Sequence, residues 1–600
     1  MTTFLIGYHY ALGDNVSFLP HYLHNIDPSL YNNDPIIDPS GRSSPRILVK
    51  FMVLFLSSFL TLPLTAFILT ALGNSFVVWI TFVASKWMFD NNKLTPFIAS
   101  VLAVSSIRWG IGGGNNNIIG NSFLFHNMSV PLVLLSVLMA IRYNPIQCAV
   151  YACLAAIIHP LYGLVAGAMG LTTCVLWFSY RFIRTDIRSS VNAKEVRYLV
   201  SGILLFALFT YLAWLRPYSD GLSKNVFMDM LLFRNPHHIM PSQFAIEDYI
   251  QALLFLGALI ISWKWWRANQ EGDNSASSLV LIFLIVHIGV LIGGYVFVEL
   301  VPVRVWVVAM VFRTLGILRW IGFLIIGNTI AHLLLKPTGT TDRLIAAICL
   351  AGTGFSQSVL MFLSHLLLEV QSGIVTLSEK AKRYLTMIGL IISFIFLFLT
   401  FTVFTDLELS SLRFTFILML NLGVVYWFYK QKNHQIRWIV PLISLMVLTP
   451  TVIANRNSSI NRVIHCIFTE EDAMNLDAYG DIARYARNNT DIDALFLGPP
   501  ECDRFRLWSR RAVLFNFGEH PTRSDRITMW MDRMQTVYGP YTETGWKAKK
   551  QMDENYLKIS DKDLEVIRER YKVDYAVLFD ATETNHRVLI RNSTYKLVVL

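Results

Sequence analysis

The sequence is poor in charged residues and lacks the usual metal-binding patterns of cysteine and histidine. Charged residues make up 15% of its 600 positions, and hydrophobic residues make up 54%. The six cysteines include no CxxC pair, and the 14 histidines show no metal-ligand spacing. This composition excludes an ordinary soluble multidomain enzyme.

Residues 454–600 also lack a basic patch interleaved with aromatic residues, so nucleic acid is not an expected partner. Its formal net charge of +10 is unevenly placed. Residues 454–600 contain 22 Lys+Arg and 22 Asp+Glu, which leaves 29 against 19 for residues 1–453. The positive excess therefore belongs to the apolar part, where it indicates membrane orientation and contact with lipid phosphate.

Long apolar runs dominate residues 1–453. The runs 51–72, 344–368 and 387–404 each match the length of about 20 residues that a helix needs to cross a bilayer. Backbone groups in lipid must be satisfied within the segment, so repeated runs of this kind predict a helical bundle. We predict an α-helical polytopic membrane protein with about 11 to 14 transmembrane helices.

Residues 454–600 have the composition of a soluble domain, and their periodicity predicts an α/β fold. The predicted helices are 471–487, 523–537, 543–555 and 561–571, and the predicted strands are 494–497, 512–517, 575–579, 587–590 and 595–599.

The distribution of Lys and Arg predicts the orientation of the chain. The strongest basic loop, 181–197, is placed in the cytoplasm, and the count of spans from later basic turns places residues 454–600 outside it. Residues 13–46 and 216–248 are interpreted as external loops. Counting spans backwards puts 13–46 inside, if the predicted spans 48–70, 73–89 and 94–110 each cross once. The two interpretations agree only if one of these three is re-entrant.

Acidic residues cluster in the first polar stretch. Asp14 follows a short apolar segment, and Asp27 and Asp34 follow an aromatic amphipathic stretch. A carboxylate held at a membrane surface could accept a proton from a hydroxyl or hold a divalent cation. Alternatively, Asp14 caps a helix, and Asp27 and Asp34 are turn residues.

The motifs of this stretch carry a family resemblance. GD-x4-LP at 13–20, followed by DP-x-LY-x2-D at 27–34, resembles the first external loop of bacterial C-type (GT-C) glycosyltransferases. The resemblance implies a multi-spanning enzyme of the bacterial inner (plasma) membrane that uses a polyprenyl-phosphate-linked sugar. It also implies that Asp14 is the catalytic base. Asp34, in the same stretch, is a candidate for substrate binding.

Two further stretches resemble the same group. One is 127–142 leading into 158–163, and the other is 454–600, which is similar to the C-terminal domain of an uncharacterised bacterial membrane family. A second acidic motif in an external loop is missing, which leaves the metal requirement unknown. The DxD patterns at 491–493 and 561–563 are interpreted as turns and helix caps.

Arginines inside apolar segments are the other candidates. Arg304, Arg313 and Arg319 lie in the run 302–327, and a guanidinium there could bind a lipid phosphate in bidentate fashion or snorkel to the headgroups. Arg313 and Arg319 point about 120° apart on a straight helix, so they face one pocket only if the helix breaks. His159 ends an apolar run, and is either a substrate ligand or a structural histidine.

The leading interpretation is a membrane glycosyltransferase that transfers a sugar to a cell-envelope acceptor at the outer face, in contact with membrane lipids. A lipid or solute transporter is the first alternative, and its signature would be interrupted helices in two related halves. A catalytically silent scaffold is the second. Substitution of Asp14 by Asn distinguishes an enzyme from a scaffold.

Overall fold

The computed structural model describes most of the chain. The described residues are 8–11, 13, 15–37, 47–89, 94–105, 117–184, 193–212, 224–270, 274–335, 337, 340–354, 358–371, 378–405, 467–519 and 524–600.

The part before residue 406 is helical. Its α-helices are α1 (Asn15–Ile26), α2 (Ile47–Ser57), α3 (Leu62–Met88), α4 (Thr95–Ser105), α5 (Phe125–Ile141), α6 (Pro145–Ile158), α7 (Pro160–Arg184), α8 (Ala193–Thr210), α9 (Lys224–Arg234), α10 (Pro236–Ile239), α11 (Ile246–Ala268), α12 (Ser275–Tyr295), α13 (Arg304–Ala309), α14 (Leu315–Leu335), α15 (Thr340–Gly354), α16 (Ser358–Gln371) and α17 (Glu379–Thr405). Short 3₁₀ turns cover Pro241–Gln243 and Val311–Thr314, and a π-helical turn covers Val296–Leu300.

Several of these helices are suited to a bilayer. Within the described residues, five segments are long and apolar enough to cross a membrane: Leu62–Met88, Pro160–Ile183, Ile246–Ala268, Ser275–Leu300 and Arg304–Leu335. The chain is therefore an integral membrane protein, and the predicted class of a helical polytopic bundle with a C-terminal α/β domain is confirmed.

The predicted division into spans 48–70 and 73–89 is wrong. Helix α3 runs through this position without a break, and α2 is a separate short helix. The polar Asn74 does not end a span, because its side chain exchanges two hydrogen bonds with the backbone of Gly120 at 2.8 and 3.1 Å. At the start of α3, the Thr61 hydroxyl donates to the Phe468 carbonyl at 3.0 Å. This end of α3 therefore lies beside the C-terminal part of the chain.

The C-terminal domain, residues 467–600, contains one mixed sheet. Its strands are β1 (Leu495–Leu497), β2 (Ala512–Val513), β3 (Tyr575–Phe579), β4 (Val588–Arg591) and β5 (Tyr595–Val599), in the spatial order β2-β1-β3-β5-β4. β1 pairs in parallel with β2 and β3, whereas β5 pairs antiparallel with β3 and β4. Its helices are α18 (Glu470–Asn475), α19 (Gly480–Asn489), α20 (Asp503–Ser509), α21 (Ser524–Tyr538), α22 (Gly545–Leu557) and α23 (Asp561–Tyr571).

Most predicted elements of this domain are present within a few residues of their predicted bounds. The predicted helix 471–487 is instead two helices, because the turn 476–479 separates α18 from α19. Helix α20 was not predicted. The second DxD pattern caps α23, as expected: the Asp563 side chain and Ser560 form a capping box. The domain boundary predicted at 453 lies outside the described residues.

The C-terminal domain packs on two earlier segments. The N-terminal segment, residues 8–37, contributes Tyr8, Leu19 and Tyr31 to a core that also contains Phe505 and Trp508. Residues 224–243, from the predicted external loop 216–248, share a second core with α21 and α22. We call them the external segment after that prediction. These contacts place both segments and the C-terminal domain on one side of the helical bundle.

Candidate functional site

The span Arg304–Leu335 contains a break between Arg304 and the other two arginines, Arg313 and Arg319. Met310 adopts a left-handed conformation (φ 47°, ψ 50°) between α13 and the 3₁₀ turn Val311–Thr314. The Thr314 hydroxyl donates to the Val311 carbonyl, and His287 Nε2 of α12 lies 2.9 Å from the same hydroxyl oxygen. The left-handed residue precedes both Arg313 and Arg319, and the change from the 3₁₀ turn to α14 at Leu315 lies between them.

Both arginines approach α7. Arg319 lies on α14 and is fully buried, whereas Arg313 is half-buried on the 3₁₀ turn. The charges of both guanidiniums act on the hydroxyl of Tyr162, which is itself buried at the start of α7. Arg304 is exposed on α13, and its guanidinium lies 4.7 Å from the ring centre of Phe227. The structure therefore separates Arg304 from the other two arginines.

Two histidine rings flank Tyr162. His159 ends α6 and is buried, and its Nδ1 accepts a long hydrogen bond of 3.4 Å from the Tyr162 backbone N–H. His126, in the first turn of α5, donates from Nε2 to the Asn117 carbonyl at 2.8 Å. The centres of these rings lie 6.4 and 6.2 Å from that of Tyr162. Three helices thus converge on one tyrosine.

His238, in the external segment, borders the same region. It lies on α10, which contacts the 3₁₀ turn that carries Arg313. Burial lowers the pKa of His238 well below its usual range, and the charges of Arg313, His237, Arg234 and His126 lower it further. His238 is therefore neutral at pH 7 and can donate or accept a hydrogen bond.

We call Arg313, Arg319, His126, His159, Tyr162 and His238 the basic cluster. Two guanidiniums, a phenol and imidazole N–H groups form a donor set suited to an anion with several oxygens, such as a phosphate. Within the described residues, no three or more His, Cys, Asp or Glu side chains are arranged to hold a metal ion.

Asp34 has a different environment from the basic cluster. One carboxylate oxygen accepts from the backbone N–H groups of Ile36 and Ile37, and the other accepts from Val513 at 3.0 Å. That second oxygen also lies 2.9 Å from Arg506 Nε, and both side chains of this ion pair are fully buried. Asp34 therefore joins the N-terminal segment to the C-terminal domain.

Asp14 lies outside the described residues. The preceding residue, Gly13, is placed by its neighbours: a Cβ built on it would lie 4.0 Å from the Leu124 side chain. Leu124 is two positions before His126 of the basic cluster. The N-terminal segment also contacts this stretch through His9, whose N–H donates to the Asn121 carbonyl at 2.8 Å.

The sequence named His159, Arg313 and Arg319 as candidates, and it did not name His126 or Tyr162. The available signal for Tyr162 was its position in the sequence, three residues after His159 at the start of the next helix. For His126 no pattern in the sequence pointed to the site, because its role depends on how α5 packs beside α7.

Part of the C-terminal domain matches a known family. Residues 477–537 match the model of a domain of unknown function, DUF6798. No protein of the curated set matches the chain. The family match therefore concerns a part of the C-terminal domain alone.

Solved structures provide the remaining similarities. The chain is similar to ArnT from Cupriavidus metallidurans in the apo state (11% identity, 100% of this chain and 95% of that chain, TM-score 0.44) and bound to undecaprenyl phosphate (11%, 99% and 95%, 0.45). It is also similar to the archaeal oligosaccharyltransferase AglB from Archaeoglobus fulgidus (13%, 96% and 66%, 0.37). Both are GT-C glycosyltransferases, the group that the sequence motifs resemble.

Proposed function

We propose that the protein transfers a sugar from a polyprenyl-phosphate carrier to a cell-envelope acceptor at the extracytoplasmic face of the bacterial plasma membrane. The observation that carries the proposal is the basic cluster. Arg319 is fully buried in α14, inside the span Arg304–Leu335. A guanidinium at such a position is costly and usually marks a functional site. A lipid-linked phosphate is an anion that can reach it from the bilayer.

The proposed reaction follows from the cluster and the predicted base. Arg313 and Arg319 bind the carrier phosphate and stabilise the charge that develops on it as the leaving group. Asp14 accepts the proton of the acceptor hydroxyl, and the hydroxyl oxygen forms a bond to the anomeric carbon. The bond between that carbon and the phosphate oxygen breaks, and the phosphate leaves with the electron pair. Attack from the opposite face inverts the anomeric centre.

The placement of the N-terminal segment supports this assignment of Asp14. Its neighbour Gly13 lies beside Leu124, close in sequence to His126. The external segment and the C-terminal domain lie on the same side, where they would cover the site and contact the acceptor. A divalent cation is compatible with this scheme, but no step depends on one.

One observation favours a second function, the transport of a lipid. The span Arg304–Leu335 is interrupted at Met310, and interrupted helices near charged groups are typical of transporters. A flippase would bind the same phosphate without breaking a bond. The two functions therefore differ in their need for a base.

The experiment uses the full chain purified into lipid nanodiscs, with a panel of labelled polyprenyl-phosphate sugars. We expect transfer or donor hydrolysis by the wild type, and its loss in Asp14→Asn with donor binding retained. Asp27→Asn is the matched control, because Asp27 is exposed and bonds to Ser29 in its own turn. Equal turnover by wild type and Asp14→Asn would refute the assignment of the base. Donor binding without turnover in any protein would favour transport.

A further inference from the structure

Within four consecutive residues of the C-terminal domain, 516–519, Phe517 and Gly518 contact the external segment and Glu519 contacts the N-terminal segment. We call these four residues the 516–519 connection; they follow β2 and precede α21. On one side, the buried Arg234 of α9 donates from Nη2 to the Gly518 carbonyl at 2.9 Å and from Nε to the Phe517 carbonyl. Its guanidinium also lies 4.6 Å from the centre of the Phe517 ring. One arginine therefore fixes the end of α9 to this connection.

On the other side, Glu519 holds the N-terminal segment. His21 Nε2 of α1 lies 3.1 Å from one carboxylate oxygen of Glu519, and Arg506 pairs with the other oxygen. Arg506 also pairs with Asp34, so two residues of the N-terminal segment, His21 and Asp34, are linked to Glu519, one directly and one through Arg506. The Glu519 backbone N–H donates to the Asn516 side chain, which fixes the shape of the connection.

The two segments carry the two parts of the proposed site. The N-terminal segment contains the predicted base, Asp14, one position before α1. The external segment carries His238 of the basic cluster, four positions after Arg234. We propose that the 516–519 connection sets the distance between the base and the phosphate-binding groups, with Arg234 and Glu519 as positioning residues. This inference rests on the proposed function, and it gives the C-terminal domain a role in transfer itself.

Buried ion pairs suit such a role because they have few alternative arrangements. A shifted connection would leave Glu519, Arg506 or Asp34 buried without a countercharge, which is strongly unfavourable. Apolar contacts alone tolerate sliding more readily, since the hydrophobic effect has no directional preference. The connection therefore holds the two segments in one relative position.

The test uses the full chain in nanodiscs and removes the contact of Glu519 and the contact of Arg234 in separate variants. Glu519→Gln should lower the turnover of transfer about 10- to 100-fold, the cost of a base displaced by about 1 Å. Its donor Kd should stay within about twofold of wild type, because the basic cluster keeps its anchor at Arg234. Arg234→Gln should instead raise the donor Kd about tenfold, because His238 loses its support.

Hydrogen exchange provides a readout that does not depend on activity. Amides of residues 15–37 should exchange faster in Glu519→Gln, and amides of residues 224–243 should exchange faster in Arg234→Gln. His21→Gln, which leaves the Arg506–Glu519 pair intact, should repeat the Glu519→Gln pattern at smaller size. Glu565→Gln and Arg568→Gln are matched controls, since these residues form an exposed pair within α23.

The outcomes are distinct. Faster exchange throughout residues 467–600 in both variants would show that the pairs only stabilise the domain, and would overturn the inference. A parallel change in turnover and donor Kd in Glu519→Gln would also overturn it. If wild type transfers no sugar from any donor, the proposed function fails. The positioning role of the connection is then supported only if each variant still increases hydrogen exchange in its own segment and nowhere else.

Discussion

A charged arginine is unfavourable inside a bilayer, and the three arginines of the run 302–327 differ in how far they are buried. Arg304 is exposed on α13, Arg313 is half-buried on the 3₁₀ turn, and Arg319 is fully buried in α14. Snorkelling to the headgroups suits Arg304 but is inconsistent with the burial of Arg319. The three positions therefore provide both test variants and a control within one segment.

We expect Arg313→Gln and Arg319→Gln to weaken the binding of a polyprenyl-phosphate sugar about 10- to 100-fold. Each substitution removes a charge-assisted hydrogen bond to the phosphate, worth about 1.5–3 kcal/mol. Donor binding to the full chain in nanodiscs is the measurement. Arg304→Gln is the control and should bind as wild type does. An equal loss in all three variants would indicate a general membrane effect in place of a phosphate site.

Neutral His238 makes donor binding dependent on pH. In the free protein its pKa is held well below 6.5. A bound phosphate raises that pKa, so binding takes up a proton and tightens as pH falls below the raised pKa of the complex, down to the lower pKa of the free protein. A sugar phosphodiester serves as ligand, because it has no ionisation of its own in this range. His238→Gln should bind with a flat pH profile; an unchanged slope would exclude His238 as the titrating group.

At the scale of elements, the close approach of α6 and α7 positions Tyr162. Gly163, in the first turn of α7, faces the backbone of α6, and a Cβ built on it would lie 2.7 Å from the Ala156 Cα. Backbone cannot yield as a flexible side chain can. The glycine therefore allows α7 to approach α6 closely and holds Tyr162 within the basic cluster.

Gly163→Ala should destabilise the bundle by about 1–3 kcal/mol, as overpacking does, and should weaken donor binding by displacing Tyr162. Thermal unfolding in detergent and donor binding are the measurements. Gly289→Ala in α12 is the matched control, because a Cβ there meets no atom within 4 Å. The control should be neutral or gain up to about 1 kcal/mol of helix stability. Equal effects of both substitutions would contradict the close approach.

At the scale of the whole molecule, buried charges join the first and last parts of the chain. Arg506 pairs with Asp34 of the N-terminal segment and with Glu519 of its own domain. Burial raises the pKa of Glu519, but the charges of Arg506 and His21 outweigh burial and hold it below the usual 4.5. Glu519 therefore contributes stability above about pH 4.5, and this contribution is lost as pH falls through its lowered pKa.

Arg506→Met should lower the free energy of unfolding by about 3–5 kcal/mol at pH 7, because two buried carboxylates lose their countercharge. The difference in unfolding free energy between wild type and variant should shrink as pH falls. Protonation of Asp34 and Glu519 removes the unpaired buried charges of the variant, whereas in the wild type it removes their attraction to Arg506. Thermal unfolding between pH 7 and pH 4 measures both effects. Arg591→Met, which breaks an exposed pair with Asp580, should cost less than about 1 kcal/mol. A deficit independent of pH would contradict the charge assignment.

The sequence alone determined the class of this protein and most elements of its C-terminal domain. Apolar length and periodicity are local properties, so the bundle and strands such as β3 and β5 could be predicted from them. It also identified Arg313, Arg319 and His159 as candidates, because polar groups are conspicuous in apolar runs.

The tertiary structure decided what depends on distant residues. It joined two predicted spans into α3, because Asn74 is satisfied by the backbone of Gly120. It assigned Asp34 to Arg506, more than 450 positions away, and brought the helix of His238 into contact with the turn that carries Arg313. No local pattern encodes these pairings, since buried charges and polar groups find their partners only when the chain packs.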